Sequence, residues 1–584
     1  RIQLGEVLDR NLRPAGPFAV SADSLNRHVF VCGATGAGKS QTVRCLLEAA
    51  TGLGIPWLVV EPAKAEYRLM ASRLPGTEVI RIRPGEPDAI AAGLNPLEPA
   101  VDGAGRRFPL QTHADLVKAL FIASFQAEEP FPQVLSAALA RVYEEAGWDL
   151  ALGEPRDRGR EPDYPALTGL QRAAERVVAE IGYSQRVTDD VLGFIRVRLA
   201  SLRQGTTGRF LEGGHPLDFG VLLRSNVVLE IEDVGDDADK AFLMGTVLIR
   251  LAEHLRLTHR AGQRPPREPG AGSLEHLTVV EEAHRLLRRS PADGGGSGGG
   301  GAAAHAVELF SGLLAEIRAY GEGLVIAEQI PAKLAPDAIK NTAVKITHRL
   351  PAADDREVVG ATMNATPAQS RYLATLPPGQ AAVFSDGMDF PVLVRVKDGT
   401  EREAASPAPA ADARTVVRPR SGSCGGECQS RPCTLREMRG AQRLLADLPW
   451  LPVWGELAVL AHLTGWPMPV PVPDALAELR GQPARLAQCA LSHAADAAVT
   501  VRPPVARPGA LAQHVTGAMR ARAERGEWRC APDEPQWLLP GEITEEAAFG
   551  TARPSALEAG EPGDGRYGRF IDCRWPSQYL KRST

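Results

Sequence analysis

The sequence predicts an α/β fold built on a mostly parallel sheet, with a helical insertion and a small C-terminal unit containing Cys and Trp. Three observations lead there. Short apolar runs alternate with segments of helical periodicity over about the first 400 residues, and a glycine-rich loop joins one such run to the helix after it. Six of the eight Trp and six of the eight Cys lie beyond residue 423, so the tail is compositionally separate. With 584 residues the chain has room for two to four domains, which excludes a peptide hormone or a single binding module.

The elements follow in order. His28-Val29-Phe30-Val31-Cys32 is a strand; Gly33 to Ser40 is a glycine loop; Val43, Leu46 and Leu47 mark the helix behind it. Further strands are expected at 57–60, ending in Glu61, and at 78–82. From about 108 to 215 apolar residues recur at three and four, as in Leu116/Leu120 and Leu135/Leu139, and β-branched runs are scarce, so this region reads as a helical insertion. Strand signals resume at 226–231. A helix starting at Asp236 or Asp237 follows, with Phe242, Val247 and Leu251 on its apolar face. Two more strands, 277–280 and 323–327, flank the glycine-rich stretch 294–301, which reads as a flexible loop. The expected organisation is a core over 1–400, an Ala/Pro/Arg linker over 401–423 and a C-terminal domain over 424–584.

The formal net charge is −5, so a polyanion would have to be met by a local basic patch rather than by bulk attraction. Few cysteines and no apolar leader point to a reducing, cytoplasmic setting. No run approaches the roughly 18 apolar residues of a membrane span, so direct membrane insertion is not expected.

The chemistry concentrates at strand ends. Gly33-Ala34-Thr35-Gly36-Ala37-Gly38-Lys39-Ser40 has the spacing of a phosphate-binding loop: its backbone N–H groups can face phosphates, Lys39 can reach the β/γ oxygens and the Ser40 hydroxyl can ligate Mg²⁺. The helix opening at Lys39-Ser40-Gln41 adds its positive end. Gly33, Thr35, Gly36, Ala37, Gly38, Lys39, Ser40 and Gln41 are therefore the candidate nucleotide-binding residues. Glu281-Glu282 closes the strand 277–280; Glu281 would join Ser40 on Mg²⁺ and Glu282 would orient and deprotonate the attacking water. Kinases and small GTPases also use phosphate loops, so the loop alone does not name the reaction. Gln329, behind another apolar run, could hydrogen-bond the γ-phosphate or its water. Arg318, on the preceding helix, could reach a neighbouring subunit's nucleotide.

These residues resemble the HerA branch of the HerA/FtsK superfamily. The resemblance rests on 28–40, Val59-Val60-Glu61-Pro62-Ala63-Lys64-Ala65-Glu66-Tyr67, Leu94-Asn95-Pro96-Leu97, 279–284 and 321–331, in order, over about residues 1–400. It implies a RecA-like P-loop ATPase core that assembles as a hexameric ring, uses ATP and Mg²⁺, and pumps double-stranded DNA through its channel. Carried over by position, it assigns Lys39 and Ser40 to the nucleotide and Mg²⁺, Glu282 to catalysis, Gln329 to sensing and Arg318 to action in trans. Arg349 matches a second arginine, and Glu61 and Glu66 fall on acidic positions of the motif after the second strand. Three departures stand out: Glu281 replaces the usual Asp, the β-barrel that commonly precedes the core is not visible in the 27 residues before His28, as in a truncated or divergent N-terminus, and the tail lies outside the resemblance.

Arg196, Arg198, Arg203 and Arg209, with Gly205 to Gly208 as a loop, are the candidate DNA contacts, the alternative being a solvated arginine face. Cys424, Cys428 and Cys433 form a tight group that could hold zinc or an iron–sulfur cluster if a fourth ligand joins, Cys489, His493, Cys530 and Cys573 being available; free thiols are the alternative. The leading functional expectation is an ATP-hydrolysing DNA-translocating ring acting with a nuclease or other effector, in DNA processing or phage defence. A secretion- or conjugation-type ATPase moving protein, and a nucleotide-gated scaffold regulating an effector, remain as alternatives.

Overall fold

The computed structural model describes residues 1–526 apart from 64–65, 72–73, 75, 83, 128, 157–162, 261–273, 290–301, 398–410, 413–415, 421–423, 425–430, 465–469 and 501–507. Its centre is a twelve-stranded sheet. In chain order the strands are β1 (Ile2–Leu8), β2 (Pro14–Val20), β3 (Val29–Cys32), β4 (Trp57–Glu61), β5 (Thr77–Arg81), β6 (Asn226–Glu230), β7 (His276–Glu281), β8 (Glu322–Glu328), β9 (Val344–Thr347), β10 (Gln380–Ser385), β11 (Val392–Val396) and β12 (Ala411–Asp412). They lie side by side as β12-β5-β6-β4-β7-β8-β3-β9-β10-β11-β1-β2. Pairing is parallel from β12 through β9 and antiparallel from β9 through β2.

The parallel strands are continuous apolar runs because both faces of the sheet are covered. Alternate residues go to opposite faces. Val29, Val31, Val59, Val279 and Val325 pack with Val43, Leu46 and Leu47 of helix α1 (Lys39–Gly52), whereas Phe30, Leu58, Val60, Val280 and Ile326 join a larger core on the other side. That larger core holds the expected insertion: α2 (Leu110–Phe125), α3 (Phe131–Glu145), α4 (Leu167–Ile181), α5 (Gln185–Arg203) and α6 (Gly205–Glu212). It also holds α7 (Asp237–Arg260), started by Asp236, whose Oδ1 accepts from the Ala238 and Asp239 N–H groups, and α8 (Ala302–Glu316).

One expectation changes. Gly205 to Gly208 is not a loop but the first turn of α6: Gly205, at φ +57°, breaks the chain out of α5, and Thr207, Phe210 and Leu211 then bury one face of the new helix. The first twenty residues form a hairpin, β1–β2, whose β1 edge pairs with β11 and extends the sheet.

Beyond the core, α9 (Leu435–Asp447), α10 (Trp450–Thr464), α11 (Pro473–Arg480), α12 (Ala484–Thr500) and α13 (Pro508–Arg525) form a bundle with its own interior, in which Trp450 and Trp454 are buried. A capping box starts it: the Glu437 N–H donates to Thr434 Oγ1 (3.3 Å) and the Thr434 N–H to Glu437 Oε2 (2.8 Å). The described residues of the expected linker include Val416 and Val417, both buried; Val417 bridges Leu217 of the core. Stretch 294–301 lies outside the described residues, as do Cys428, Cys530, Cys573 and Trp466.

Candidate nucleotide site

In an open parallel sheet, ligands bind at the carboxyl ends of the strands. Here that edge gathers the ends of β3, β9, β8, β7, β4 and β6, with Cys32 in register with Glu328 and Thr347, and Glu230 in register with Glu61. The phosphate loop leaves β3 at Gly33, whose N–H donates to the Glu328 carbonyl (3.2 Å), and the Ala34 N–H donates to the Arg349 carbonyl (2.8 Å). Gly33 (φ +153°) and Gly38 (φ +117°) both rest on His348; a Cβ on Gly33 would lie 2.6 Å from His348 Cβ, so no larger residue fits. Lys39 curls back over the loop, its Nζ donating to the carbonyl oxygens of Gly33 (2.7 Å) and Ala34 (3.4 Å). Ser40, Gln41, Gly36 and Ala37 complete the loop and the first turn of α1.

His348, not singled out by sequence, is the floor of this loop. Thr42 Oγ1 lies 2.8 Å from its Nε2, the Gln380 carbonyl 2.9 Å from its Nδ1, and burial lowers its pKa to about 4. A histidine held neutral in the fold but free to protonate when unfolded stabilises the protein above its ordinary pKa. That stability is lost as the pH falls from about 6.5 towards 4. We expect the loss through His348 alone to reach about 2–3 kcal/mol. Denaturant unfolding at pH 7 and pH 4.5 checks this: the wild type should lose more stability than His348→Gln, and equal losses would remove His348 as the cause.

Around the loop stand carboxylates. Glu281, at the end of β7, accepts a hydrogen bond from the buried Tyr67 hydroxyl (2.6 Å). Burial pushes its pKa up to about 7, and the Tyr67 hydroxyl pulls the other way. Glu61, 1% exposed, is pushed up by burial to about 9. Its oxygens accept from the N–H groups of Glu66 (2.6 Å) and Tyr67 (3.4 Å), so it shapes the loop after β4 that aims Tyr67 at Glu281. Glu230 lies beside it, 3.8 Å from Arg68 and 4.0 Å from Arg81. The buried Glu328 accepts from His284 Nδ1 (2.9 Å) and from the N–H groups of Gln329 (2.7 Å) and Ile330 (3.1 Å), tying β8 to the turn that follows β7.

Glu282 has the left-handed backbone conformation, φ +50° and ψ +45°. Its Oε2 accepts from Arg285 Nε (2.8 Å) and Nη2, and its Oε1 from Gln329 Nε2 (3.5 Å). Gln329 Oε1 in turn accepts from Thr35 Oγ1 of the phosphate loop (3.0 Å). Thr35, Gln329 and Glu282 thus form one polar chain from loop to carboxylate. Arg349 lies beside the loop, with Nε buried and unpaired. Arg318 is exposed and precedes β8, at the opposite edge of the sheet from the phosphate loop of its own chain.

Of the arginines expected to face DNA, Arg196 Nε donates to Glu175 (2.9 Å), Arg203 is bound by Glu212 (3.1 Å) and Gln171 (2.8 Å), and Arg198 lies over the rings of Phe125 and Phe194. Arg209 is half-buried near Arg420 and Arg439. Cys433 Sγ contacts His215 Nε2 (3.2 Å) and Cys489, which pull its pKa down to about 4. Among the described residues no three His, Cys, Asp or Glu are arranged to hold a metal ion, so zinc at Cys424 and Cys433 finds no support there; Cys428 lies outside them. Among those residues, too, no helix is long and apolar enough to cross a membrane.

The family model described as "Helicase HerA, central domain" matches residues 2–158, and one for a domain of unknown function, DUF8350, matches 437–542. Among solved structures, VirB4 of Thermoanaerobacter pseudethanolicus is similar at 20% identity, covering 68% of this chain and 96% of that one (TM-score 0.49). The bacterial conjugative coupling protein TrwB is similar at 14% identity, covering 72% and 98% (TM-score 0.43). The genome packaging NTPase B204 from Sulfolobus turreted icosahedral virus 2 is similar at 9% identity, covering 65% and 100% (TM-score 0.27). No curated protein matches significantly. The match to the HerA central domain thus runs through a phosphate loop that stands at the carboxyl edge of a parallel sheet.

Proposed function

We propose that the protein is an ATP-driven ring motor, hexameric when assembled, that moves along double-stranded DNA. The observation that carries this reading is the polar chain Thr35–Gln329–Glu282: a γ-phosphate reaching the loop would meet the side chain that also touches the general base, so hydrolysis and the position of β8 are mechanically linked. The residues fit a nucleotide. Gly33 and Gly38 let the loop lie directly on His348, Lys39 supplies N–H donors at the loop, and the buried Arg349 Nε is available to donate to a phosphate oxygen. Ser40 and Glu281 would hold Mg²⁺, the carboxylate steadied by Tyr67; when bound, the ion offsets phosphate charge.

In the reaction, Glu282 accepts a proton from water, whose oxygen attacks the γ-phosphorus while the bond to the β–γ bridging oxygen breaks, giving ADP and phosphate. Lys39 and Arg349 stabilise the charge in cis. Arg318, on the far edge of its own sheet, is suited to reach the nucleotide of an adjacent subunit, which is why a ring is required. A nuclease or other effector chain is the partner class we assign. Native mass measurement tests assembly: the expected result is a sixfold species promoted by ATP and duplex DNA, and a monomer under every condition would overturn the ring.

A further inference from the structure

The base proposed above is not free in this structure. Glu282 Oε2 receives two N–H groups of a single guanidinium, from Arg285 Nε and Nη2, in an ion pair whose side chains are only 14% and 15% exposed. A carboxylate oxygen that already receives two N–H donors has its lone pairs turned to the guanidinium rather than to a water. The third arm of the same guanidinium, Nη1, already contacts Asp237 Oδ1 at the first turn of α7. Asp237 is 80% exposed and follows the loop 232–236, which carries Glu232, Asp233 and Asp236. Arg285 is thus shared between a half-buried carboxylate in the site and an exposed one at its rim. Glu282 is itself in a left-handed conformation that a non-glycine residue adopts at a cost, a backbone ready to change when its partner leaves.

From this geometry we propose that Arg285 is a positioning residue that latches Glu282 out of action, and that transfer of the guanidinium to Asp237 releases the carboxylate to its water. The inference rests on the reading of Glu282 as general base. Loss of one charge-assisted contact on the base corresponds to a rate change of about tenfold.

The test uses the full chain and basal ATP turnover in four variants. Arg285→Ala should raise kcat about tenfold with KM for ATP unchanged, because the cradle that binds ATP does not include Arg285. Asp237→Asn removes the competing negative charge and should lower kcat, and it should have no effect in the Arg285→Ala background. A purely structural arginine would not give opposite shifts at constant KM. Should Arg285→Ala fold poorly, the exposed Asp237→Asn alone carries the test. An Arg285→Ala kcat equal to or below wild type, or an unchanged Asp237→Asn, would overturn the latch. Glu282→Gln separates the two readings: inactive there but no faster in Arg285→Ala, the latch alone is wrong; active in Glu282→Gln, the assignment of the base is wrong.

Discussion

Glu282→Gln is expected to keep binding ATP while losing turnover by about 10²–10⁴-fold, the usual contribution of a positioned general base. The amide preserves size and can still meet Gln329 and Thr35 through the polar chain, so the loop and Lys39 remain in place. What is lost is the carboxylate that takes the proton. Steady-state hydrolysis paired with equilibrium nucleotide binding checks this; turnover within threefold or so of wild type would remove Glu282 from the chemistry.

The second large effect is on stability. Phe242 of α7 packs against Phe121 at 4.6 Å between ring centroids and against Phe125 at 6.0 Å, both on α2. All three are buried, and Gly245, one turn on, lets Leu120 approach so closely that a Cβ there would lie 2.1 Å from Leu120 Cδ1. This contact ties the insertion to the helix whose first turn carries Asp237 and Lys240, the latter donating to the Pro62 carbonyl (2.9 Å) at the rim of the site. Phe242→Ala removes the ring without letting the rigid helices close over the space, and should cost about 3–5 kcal/mol. Val197→Ala, at a position 66% exposed, should stay within about 0.5 kcal/mol. Chemical denaturation of both variants decides it; a Phe242→Ala loss as small as that of Val197→Ala would mean that the insertion is not packed onto the core in this way.

Much of the sheet could be read from local patterns because its central strands are buried on both faces and therefore spell short apolar runs ended by Cys or Glu. Val29–Cys32, Trp57–Glu61, Asn226–Glu230, His276–Glu281 and Glu322–Glu328 all obey this. The antiparallel edge did not announce itself: β1 and β2 carry Gly, Pro and Glu, and their hairpin joins the sheet only through β1 pairing with a strand almost 400 residues away. The same holds in the site. Lys39, Ser40, Glu281, Glu282 and Gln329 stand at motif positions, whereas His348, Tyr67, Glu328 and Arg285 matter through contacts that only the fold creates. Glu230 is the instructive omission. It closes an apolar strand just as Glu61 and Glu281 do, so that pattern alone could have placed it at the carboxyl edge. The arginines of α5 teach the reverse: their clustering suggested a phosphate-binding face, yet salt bridges to Glu175 and Glu212 engage Arg196 and Arg203 within the insertion. DNA contact by those two would require these pairs to open.

The central claim is that hydrolysis at this site is harnessed to duplex DNA, and it is tested most directly by ATP turnover of the assembled protein with and without double-stranded DNA over a series of salt concentrations. The expected result is stimulation by DNA of any sequence, fading as salt rises, as contacts to phosphates would, and absent in Glu282→Gln. An assembled wild-type protein that hydrolyses ATP at the same rate with and without DNA at low salt would contradict it.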